Sequence, residues 1–278
     1  MISSDMLSVL QCPVCNEGAL DGRFEDDTTR ADGAIVCVAC DASFPVREGI
    51  PDLIPSIRLE GDVWKTWQDH LERFYSRRSK REDAPKDSQF KRWIEKEKAF
   101  TDFVELPAGR VIDVGCGPGK LRHALGTPEG AYFGLDPLPA EEASGFPYVR
   151  ALAEHIPFKD NTFSALIVRS ALDHFCELDT FYNEVKRVVA PGGRIFFEQV
   201  AIQRGPVALA KTVVHAVNDL IDDLRTKKAG NDAPKHMNDF SGNDVVESAG
   251  KHFTVDDVQT YNRNWYTPTQ MFVALTNG

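Results

Sequence analysis

The 278-residue sequence predicts an α/β protein with a doubly wound sheet, preceded by a small cysteine-rich N-terminal domain. Three observations support this prediction. Short apolar runs alternate with amphipathic helical segments from residue 110 onward, two further strand-like segments (252–262 and 268–275) are joined by a short connection, and four of the six cysteines fall within the first 40 residues. Alternating strands and helices that end in a hairpin are typical of a parallel sheet whose last strand is antiparallel.

The composition is that of a globular protein. Hydrophobic residues make up 42% of the chain and charged residues 27%, which excludes a disordered or collagen-like protein. No run approaches the roughly 18 consecutive apolar residues of a membrane span, and the N-terminus carries no basic and apolar leader, so we expect a cytoplasmic protein. The formal net charge of -10 argues against a protein that coats nucleic acid, although a local basic patch is compatible with it.

Residues 1–58 are the predicted N-terminal domain, which contains two Cys-x2-Cys pairs. Cys12 and Cys15 make the first pair and Cys37 and Cys40 the second, with 21 residues between them. Each pair can point two thiolates at one centre, so together they supply the four ligands of a tetrahedral, structural Zn²⁺. Reduced cysteines without metal, or a redox pair, are the alternatives.

The segments LSVLQCPVCNEGAL and IVCVACDASFPVREGIPDLIP resemble a zinc-ribbon family. This family includes the small activator subunit of certain tRNA and protein methyltransferases. The resemblance covers about the first 55 residues. It implies a ribbon fold and a surface available to a protein partner, and it assigns no chemistry by itself.

Residues 59–105 are predicted to be a helical linker or lid. Apolar side chains recur at helical spacing in its first half, at Trp64, Trp67 and Leu71. Residues 73–98 contain ten Lys or Arg against five Asp or Glu, so this stretch is locally basic. A solvated helix face explains these charges, and a basic wall for an anionic substrate is the alternative. Tyr75 is a candidate to close over a cofactor, whereas Phe74 is favoured as a core residue.

A glycine-rich turn follows the first strand of the α/β part. The apolar strand 110–114 leads directly into Gly115, Gly117 and Gly119, which allow the backbone to turn sharply and to approach a ligand closely. The second strand ends in Asp136, 23 residues after Asp113. A carboxylate at that place can accept hydrogen bonds from both hydroxyls of a ribose.

Several interpretations of this turn compete. The dehydrogenase fingerprint requires glycine at position 120, where this chain has Lys120, and a P-loop requires Ser or Thr at position 121, where it has Leu121. An acid just before the turn, Asp113, suits a ligand with an ammonium group and a ribose but no phosphate, as in S-adenosylmethionine. A glycine turn of purely structural origin is a further alternative.

Four segments together resemble the class I S-adenosylmethionine-dependent methyltransferases of the type 11 kind. They are VIDVGCGPGKLR, GLDP, ALAEHIPFKDNTFSALIVRSALDHF and EVKRVVAPGGRIFFEQ, which occur in the order and at the separations of that family. The resemblance covers about residues 95–275. It implies a seven-stranded Rossmann-like sheet over 106–278, with S-adenosylmethionine as methyl donor and S-adenosylhomocysteine as product.

The resemblance also implies a set of cofactor-binding residues. The first motif would cradle the methionine part, the acid after the second strand would hold the ribose, the loop near residue 153 would contact adenine, and the end of the fourth strand would line the sulfonium. In this chain these positions are Asp113, Gly115, Cys116, Gly117 and Gly119, then Asp136 and Pro137, then Leu152, Ala153 and Glu154, then Arg169 and Ser170. Many relatives have Asp where this chain has Leu152, so adenine recognition is left to backbone groups or Glu154.

Candidate catalytic residues follow the fourth strand. Asp173 and His174 lie where a methyl acceptor would bind, and a histidine there can take a proton near pH 7. A histidine that only caps the next helix is the alternative. By resemblance, His236 lies near the substrate entrance, although a surface histidine in a loop is an equal alternative.

Residues 201–245 exceed the usual connection between a strand and a helix, and by analogy they cover an acceptor pocket. We therefore expect in-line methyl transfer to an oxygen or nitrogen of a small polar metabolite or a sugar-bearing intermediate. The first alternative is an RNA base methyltransferase of the ribosomal guanine type, which the net charge disfavours. The second is a cofactor-binding scaffold without catalysis, whose zinc ribbon docks a protein partner.

Overall fold

A computed structural model describes residues 2–55, 61–78, 97–127, 130–138, 145–201, 237–238, 240, 243–261 and 269–278. The side chains of residues 63, 72–78 and 201 lie outside that description. Most of the predicted insertion 201–245 and its candidate His236 therefore lie outside the described residues. Within the described part, no helix has both the length and the apolar character needed to span a membrane.

The N-terminal unit is a short helix followed by a small antiparallel sheet. Helix α1 (Ser4–Val9) begins at Ser3, whose side chain accepts a hydrogen bond from the Met6 N–H, as an N-cap does. The four strands pair in chain order, β1 (Leu20–Phe24), β2 (Gly33–Cys37), β3 (Ser43–Arg47) and β4 (Ile50–Pro51). The first cysteine pair follows α1 and the second begins at Cys37, the last residue of β2, so both pairs lie in one compact unit, as the spacing predicts.

The main sheet has seven strands, as the family resemblance implies. Its spatial order is β10-β11-β9-β8-β5-β6-β7, and β11 is antiparallel to both of its neighbours while β7 to β9 run parallel to β5. The strands are β5 (Val111–Val114), β6 (Tyr132–Leu135), β7 (Tyr148–Val149), β8 (Phe163–Arg169), β9 (Val189–Ala201), β10 (Thr254–Tyr261) and β11 (Thr269–Thr276). The predicted doubly wound sheet with an antiparallel last strand is thereby confirmed.

Helices α3 (residues 97–103) and α5 (Leu178–Val188) cover opposite faces of this sheet. The described part also contains α2 (Asp62–Arg78), α4 (Leu121–Leu125) and α6 (Asp244–Ala249). Helix α5 buries Phe181, Tyr182, Val185 and Val188, which recur at three- and four-residue intervals and so share one face. On the other face, Phe100 of α3 contacts Phe272 of β11 with ring centroids 5.4 Å apart. Both layers therefore bury apolar stripes against the strands.

The sequence Ala-Pro-Gly-Gly at 190–193 predicts a tight turn between α5 and the next strand. Strand β9 begins at Val189, directly after α5, but residues 190–193 bulge out of its pairing with β8, because Val189 pairs with Phe163 and Arg194 pairs with Ala165. Gly192 has a φ of 75°, as a turn requires. The Gly192 N–H donates to the Asn277 carbonyl oxygen at 2.7 Å, so the bulge is hydrogen-bonded to the end of the chain that follows β11.

The N-terminal unit and the main sheet share one hydrophobic core. Leu10 and Phe158 are both fully buried in the same apolar cluster and also form an antiparallel bridge. The Gln11 N–H donates to the Pro157 carbonyl at 3.0 Å, and the Lys159 N–H donates to the Val9 carbonyl at 2.9 Å. The small unit is therefore joined to the large one by main-chain pairing as well as by apolar contact.

Candidate active site

The glycine turn lies at the carboxyl end of β5. Gly115, Gly117 and Gly119 have φ values of 77°, 55° and 70°, which glycine adopts without strain. A Cβ on Gly115 would lie 2.5 Å from the Ala171 Cβ, and a Cβ on Gly119 would enter the ring of Phe146. The turn is therefore built for glycine at both positions, because positive φ and close packing act together.

Asp113 is the acid that precedes this turn, and it is 2% exposed. Its Oδ2 accepts a hydrogen bond from the Tyr132 hydroxyl, whereas its Oδ1 has no hydrogen-bond partner among the described residues. Burial raises the pKa of Asp113 to about 7, against opposing contributions from Tyr132 and Arg169. A cation beside Oδ1 would satisfy that oxygen and favour the charged carboxylate.

Asp136 lies at the end of β6 and faces the same turn. Its Oδ2 accepts from the Gly117 N–H at 2.8 Å, and its Oδ1 accepts from the Leu138 N–H at 2.9 Å. A carboxylate oxygen can accept more than one hydrogen bond, which is what binding of ribose hydroxyls at this place requires. These bonds hold the carboxylate rigidly at the junction of two loops.

A cavity of about 230 Å³ lies above the carboxyl ends of β5, β6 and β8. Its walls include Gly115 and Gly117 of the glycine turn, residues 135–138, residues 152–154, residues 170–171 and 174–175, and Trp67, His70 and Leu71 of α2. The predicted cofactor residues of four separate segments thus meet around one space, as expected at the carboxyl edge of an open α/β sheet.

Glu154 lies in the wall of this cavity and is occupied by main-chain contacts. Its Oε1 accepts from the Cys176 N–H at 2.6 Å and from the Glu177 N–H at 3.2 Å, at the start of α5. Burial raises the pKa of Glu154 despite these bonds. One of its oxygens therefore anchors a helix, which leaves backbone groups near Ala153 as the simpler contact for an adenine ring.

Arg169 and Ser170, which are predicted to line the sulfonium, lie at the end of β8 and in the turn after it. Ser170 has a φ of 49°, and its N–H donates to the Glu198 carbonyl at 2.8 Å. The Arg169 Nε lies 2.7 Å from Glu198 Oε2, and the same guanidinium pairs with Glu97. A second cavity of about 300 Å³, lined by Asp113, Cys116, Lys120 and Arg169, shares Gly115 with the first. An anionic and two cationic groups thus border that space.

Two histidines from distant segments meet at the first cavity. The His70 Nε2 of α2 lies 3.2 Å from the His174 Nδ1, with ring centroids 5.2 Å apart. His70 is 2% exposed, and the His174 Nε2 lies 3.9 Å from Asp173 Oδ1. Sequence reasoning singled out His174 and missed His70. The spacing contains a signal for it, because His70 follows Trp67 by three residues and so shares its helix face.

Two predicted site residues, Tyr75 and His236, cannot be placed in the cavity. The side chain of Tyr75 and the whole of His236 lie outside the described residues. Their assigned roles stay predictions.

The four N-terminal cysteines form one cluster. Cys12 Sγ lies 3.8 Å from Cys40 Sγ, Cys15 Sγ lies 3.6 Å from Cys37 Sγ, and all four sulfurs lie within 4.8 Å of one another. Four sulfurs about 2.3 Å from one tetrahedral zinc ion are themselves about 3.8 Å apart, so the cluster fits Zn²⁺. Without a metal the thiols differ, because the backbone N–H of Glu17 lowers the pKa of Cys15 to about 7 whereas burial raises the pKa of Cys12 to about 12. A bound Zn²⁺ would itself favour the thiolate form of all four.

The comparison with known families decides the class of the α/β part. Residues 112–197, from β5 into β9, match the family described as methyltransferase domain. The chain carries a class I S-adenosylmethionine-dependent methyltransferase domain. The N-terminal cysteine cluster fits a zinc ribbon that precedes that domain.

Relatives of this methyltransferase domain differ in their substrates. The chain is 25% identical over 169 residues to the probable phthiotriol/phenolphthiotriol dimycocerosates methyltransferase 2 of Mycobacterium ulcerans, over 51% of this chain and 65% of that protein. It is 28% identical over 182 residues to the chloroplastic tocopherol O-methyltransferase of Arabidopsis thaliana, over 58% of this chain and 51% of the relative. The chain thus spans between half and two thirds of these relatives' lengths.

A solved structure of an S-adenosylmethionine-dependent methyltransferase from Thermotoga maritima matches with a TM-score of 0.50 and 16% identity. It covers 77% of this chain and 100% of the other. This likeness shows that the methyltransferase domain has the expected fold.

The residues of the methyltransferase domain fit its cofactor. The buried Oδ1 of Asp113 suits an ammonium group, the Asp136 carboxylate suits ribose hydroxyls, and the glycine turn leaves space that a Cβ would fill. These groups would hold the methionine part and the ribose of S-adenosylmethionine, respectively.

Proposed function

We propose that the chain transfers a methyl group from S-adenosylmethionine, in line, to an oxygen or nitrogen of a small polar metabolite or sugar-bearing intermediate. The observation that carries the proposal is the narrow cavity where Asp136, the glycine turn and a histidine pair meet. A relative named as an O-methyltransferase of tocopherol supports a small-molecule hydroxyl as acceptor.

Different residues would bind the two ends of the cofactor. Asp136 accepts from the ribose, while Asp113 and Arg169 border the second cavity and suit the ammonium and carboxylate groups of the methionine part. When bound, S-adenosylmethionine supplies a methyl group on a positively charged sulfur. The protein aligns the acceptor with that methyl group and excludes water, and Trp67 and Leu71 of α2 provide the apolar cover.

An alcohol acceptor must lose its proton as the new bond forms, and His174 is the base in this proposal. His70 is 2% exposed whereas the His174 side chain is 27% exposed, so His174 is the ring that an acceptor can reach. The contact of His174 Nδ1 with His70 Nε2 orients the ring, and His174 Nε2 takes the proton of the acceptor in this proposal. The Asp173 carboxylate, 3.9 Å from that nitrogen, then stabilises the charged ring.

The test is methyl transfer from labelled S-adenosylmethionine into an extract of the source organism that is split into RNA, protein and small-molecule fractions. We expect label in the small-molecule fraction. His174→Gln should lower transfer by about 10²- to 10³-fold while S-adenosylhomocysteine still binds, whereas Asp136→Ala should abolish that binding. Label in RNA would overturn the proposal in favour of an RNA base methyltransferase. Cofactor binding without label in any fraction would favour the scaffold.

A further inference from the structure

Arg150 joins the zinc ribbon to the cofactor side of the methyltransferase domain. It follows β7, at the edge of the main sheet, and forms a parallel bridge with Asp52. The Arg150 N–H donates to the Pro51 carbonyl at 3.0 Å, and the Leu53 N–H donates to the Arg150 carbonyl at 2.8 Å. Three consecutive residues of the ribbon thus fix the main chain of Arg150.

The guanidinium of Arg150 links the same ribbon segment to a loop of the pocket. Its Nη1 pairs with the Asp52 carboxylate, and its Nε and Nη2 donate to the Pro137 carbonyl at 3.3 Å and 3.1 Å. The side chains of Arg150 and Asp52 are 28% and 30% exposed. The pair is thus partly shielded from water. The Asp52 carboxylate and the Pro137 carbonyl together fix the orientation of the planar guanidinium.

The loop that Arg150 holds contains the predicted ribose carboxylate. Pro137 lies between Asp136, which bonds the Gly117 N–H, and Leu138, whose N–H bonds Asp136. The Tyr148 hydroxyl also donates to the Leu138 carbonyl at 2.8 Å. A shift of the Pro137 carbonyl would therefore move the Asp136 carboxylate relative to the glycine turn.

We propose that the zinc ribbon is a positioning element for cofactor binding, and that Asp52 and Arg150 are its positioning residues. Asp52 orients the Arg150 guanidinium, which holds the Pro137 carbonyl and with it Asp136. The ribbon thereby sets the affinity for the cofactor without contacting it. This inference rests on the proposed function, because it concerns the same cofactor pocket.

The chain offers a matched control for this pair. Arg110 Nη2 lies 2.6 Å from Asp5 Oδ1, so it also joins the N-terminal unit to the methyltransferase domain. Arg110 precedes β5, at the amino ends of the strands, whereas the glycine turn lies at their carboxyl ends. Asp5→Asn therefore removes an ion pair between the same two units without touching the cofactor loop.

The experiment titrates S-adenosylhomocysteine into the zinc-loaded full chain by calorimetry and records the melting temperature of each variant. We expect about tenfold weaker binding for Arg150→Gln and for Asp52→Asn, and unchanged affinity for Asp5→Asn. Arg150→Lys should recover part of the affinity, because it keeps the charge beside Asp52. The double variant Asp52→Asn/Arg150→Gln should bind no more weakly than Arg150→Gln alone, since both substitutions break one connection.

Two results would overturn the proposal. If Asp52→Asn and Asp5→Asn bind S-adenosylhomocysteine as tightly as the wild type, the ribbon does not position the pocket, and the proposed function stands. If affinity falls in both variants only in proportion to their melting temperatures, the effect is general destabilisation. Failure of the wild type itself to bind S-adenosylhomocysteine would instead overturn the proposed function along with this inference.

Discussion

Asp113 is an ionisable residue in a buried position, and burial opposes the ionisation that a bound ammonium group would need. Burial favours its neutral form and raises its pKa to about 7, whereas a bound ammonium group would favour the carboxylate. Without a cationic partner, burial therefore disfavours the charged form of this carboxyl group. Such a conflict between stability and ligand binding is common at functional sites.

Asp113→Asn should remove a pH dependence of stability. The folded pKa of about 7 lies above the ordinary value of 3.8, so the wild type's free energy of unfolding falls as pH rises from about 4 to 7. The slope from one such group is about 1.4 kcal/mol per pH unit. Denaturant unfolding of both proteins at several pH values should show the difference growing in favour of the variant, while S-adenosylhomocysteine binds more weakly to it.

Tyr132→Phe is the control for this substitution. It removes the hydroxyl that donates to Asp113 but keeps the carboxyl group, so the decline of stability with pH should persist. Parallel pH curves for the wild type and Asp113→Asn would contradict the shifted pKa.

At the scale of single elements, helix α2 covers the cavity above β5, β6 and β8. Trp64 and Trp67 are both buried and pack edge to face, with ring centroids 5.6 Å apart, and both contact Leu152 in one apolar cluster. Trp67 lines the cavity, whereas Trp64 stacks near His155 outside it. One helix therefore carries a residue that faces the ligand space and a matched neighbour that does not.

Substitution of the two tryptophans should distinguish a role in covering the ligand from a role in packing the fold. Trp67→Phe and Trp64→Phe should destabilise the chain similarly, each by less than the about 3–5 kcal/mol of a truncation to alanine. Only Trp67→Phe should also weaken S-adenosylhomocysteine binding, as calorimetry would show. Equal loss of affinity in both variants would mean that α2 acts only through the stability of the fold.

At the scale of the whole molecule, the zinc ribbon and the methyltransferase domain should unfold together. Ile35 and Phe44 of the ribbon belong to the same buried cluster as Ile112 and Phe133 of the main sheet. A structural metal site contributes its binding energy to folding, so loss of the metal weakens whatever shares the core. The ribbon is thus part of one cooperative unit.

Removal of zinc should therefore lower the melting temperature of the entire chain. We expect the double variant Cys12→Ser/Cys37→Ser to lose bound zinc and to melt in one transition, roughly 10 °C below the wild type. Cys116→Ser and Cys176→Ser are the controls, because these cysteines lie outside the cluster, and their zinc content should not change. Two separate transitions, with the later one unshifted, would contradict a shared core.

Much of the fold was predictable because its signals are local. The strands 252–262 and 268–275 were predicted within two residues of β10 and β11. The apolar run of β11 reports directly on a buried strand, whereas β10 is an exposed edge strand rich in β-branched residues. The glycine turn, Asp136 and the four cysteines were likewise visible, because each motif needs a particular residue type at a fixed spacing. The turn predicted at 190–193 is present as a bulge inside β9, because the strand resumes its pairing with β8 only at Arg194.

By itself, the sequence determined that a small cysteine-rich unit precedes a doubly wound α/β sheet, and it determined which residues carry local chemistry. Only the tertiary structure decided which distant groups meet. His70 and His174 are 104 residues apart in the chain, and Asp52 and Arg150 are 98 apart. No periodicity or spacing encodes such contacts, because they depend on how α2 and the ribbon pack against the sheet. The raised pKa of Asp113 has the same origin, since burial is a property of the folded chain.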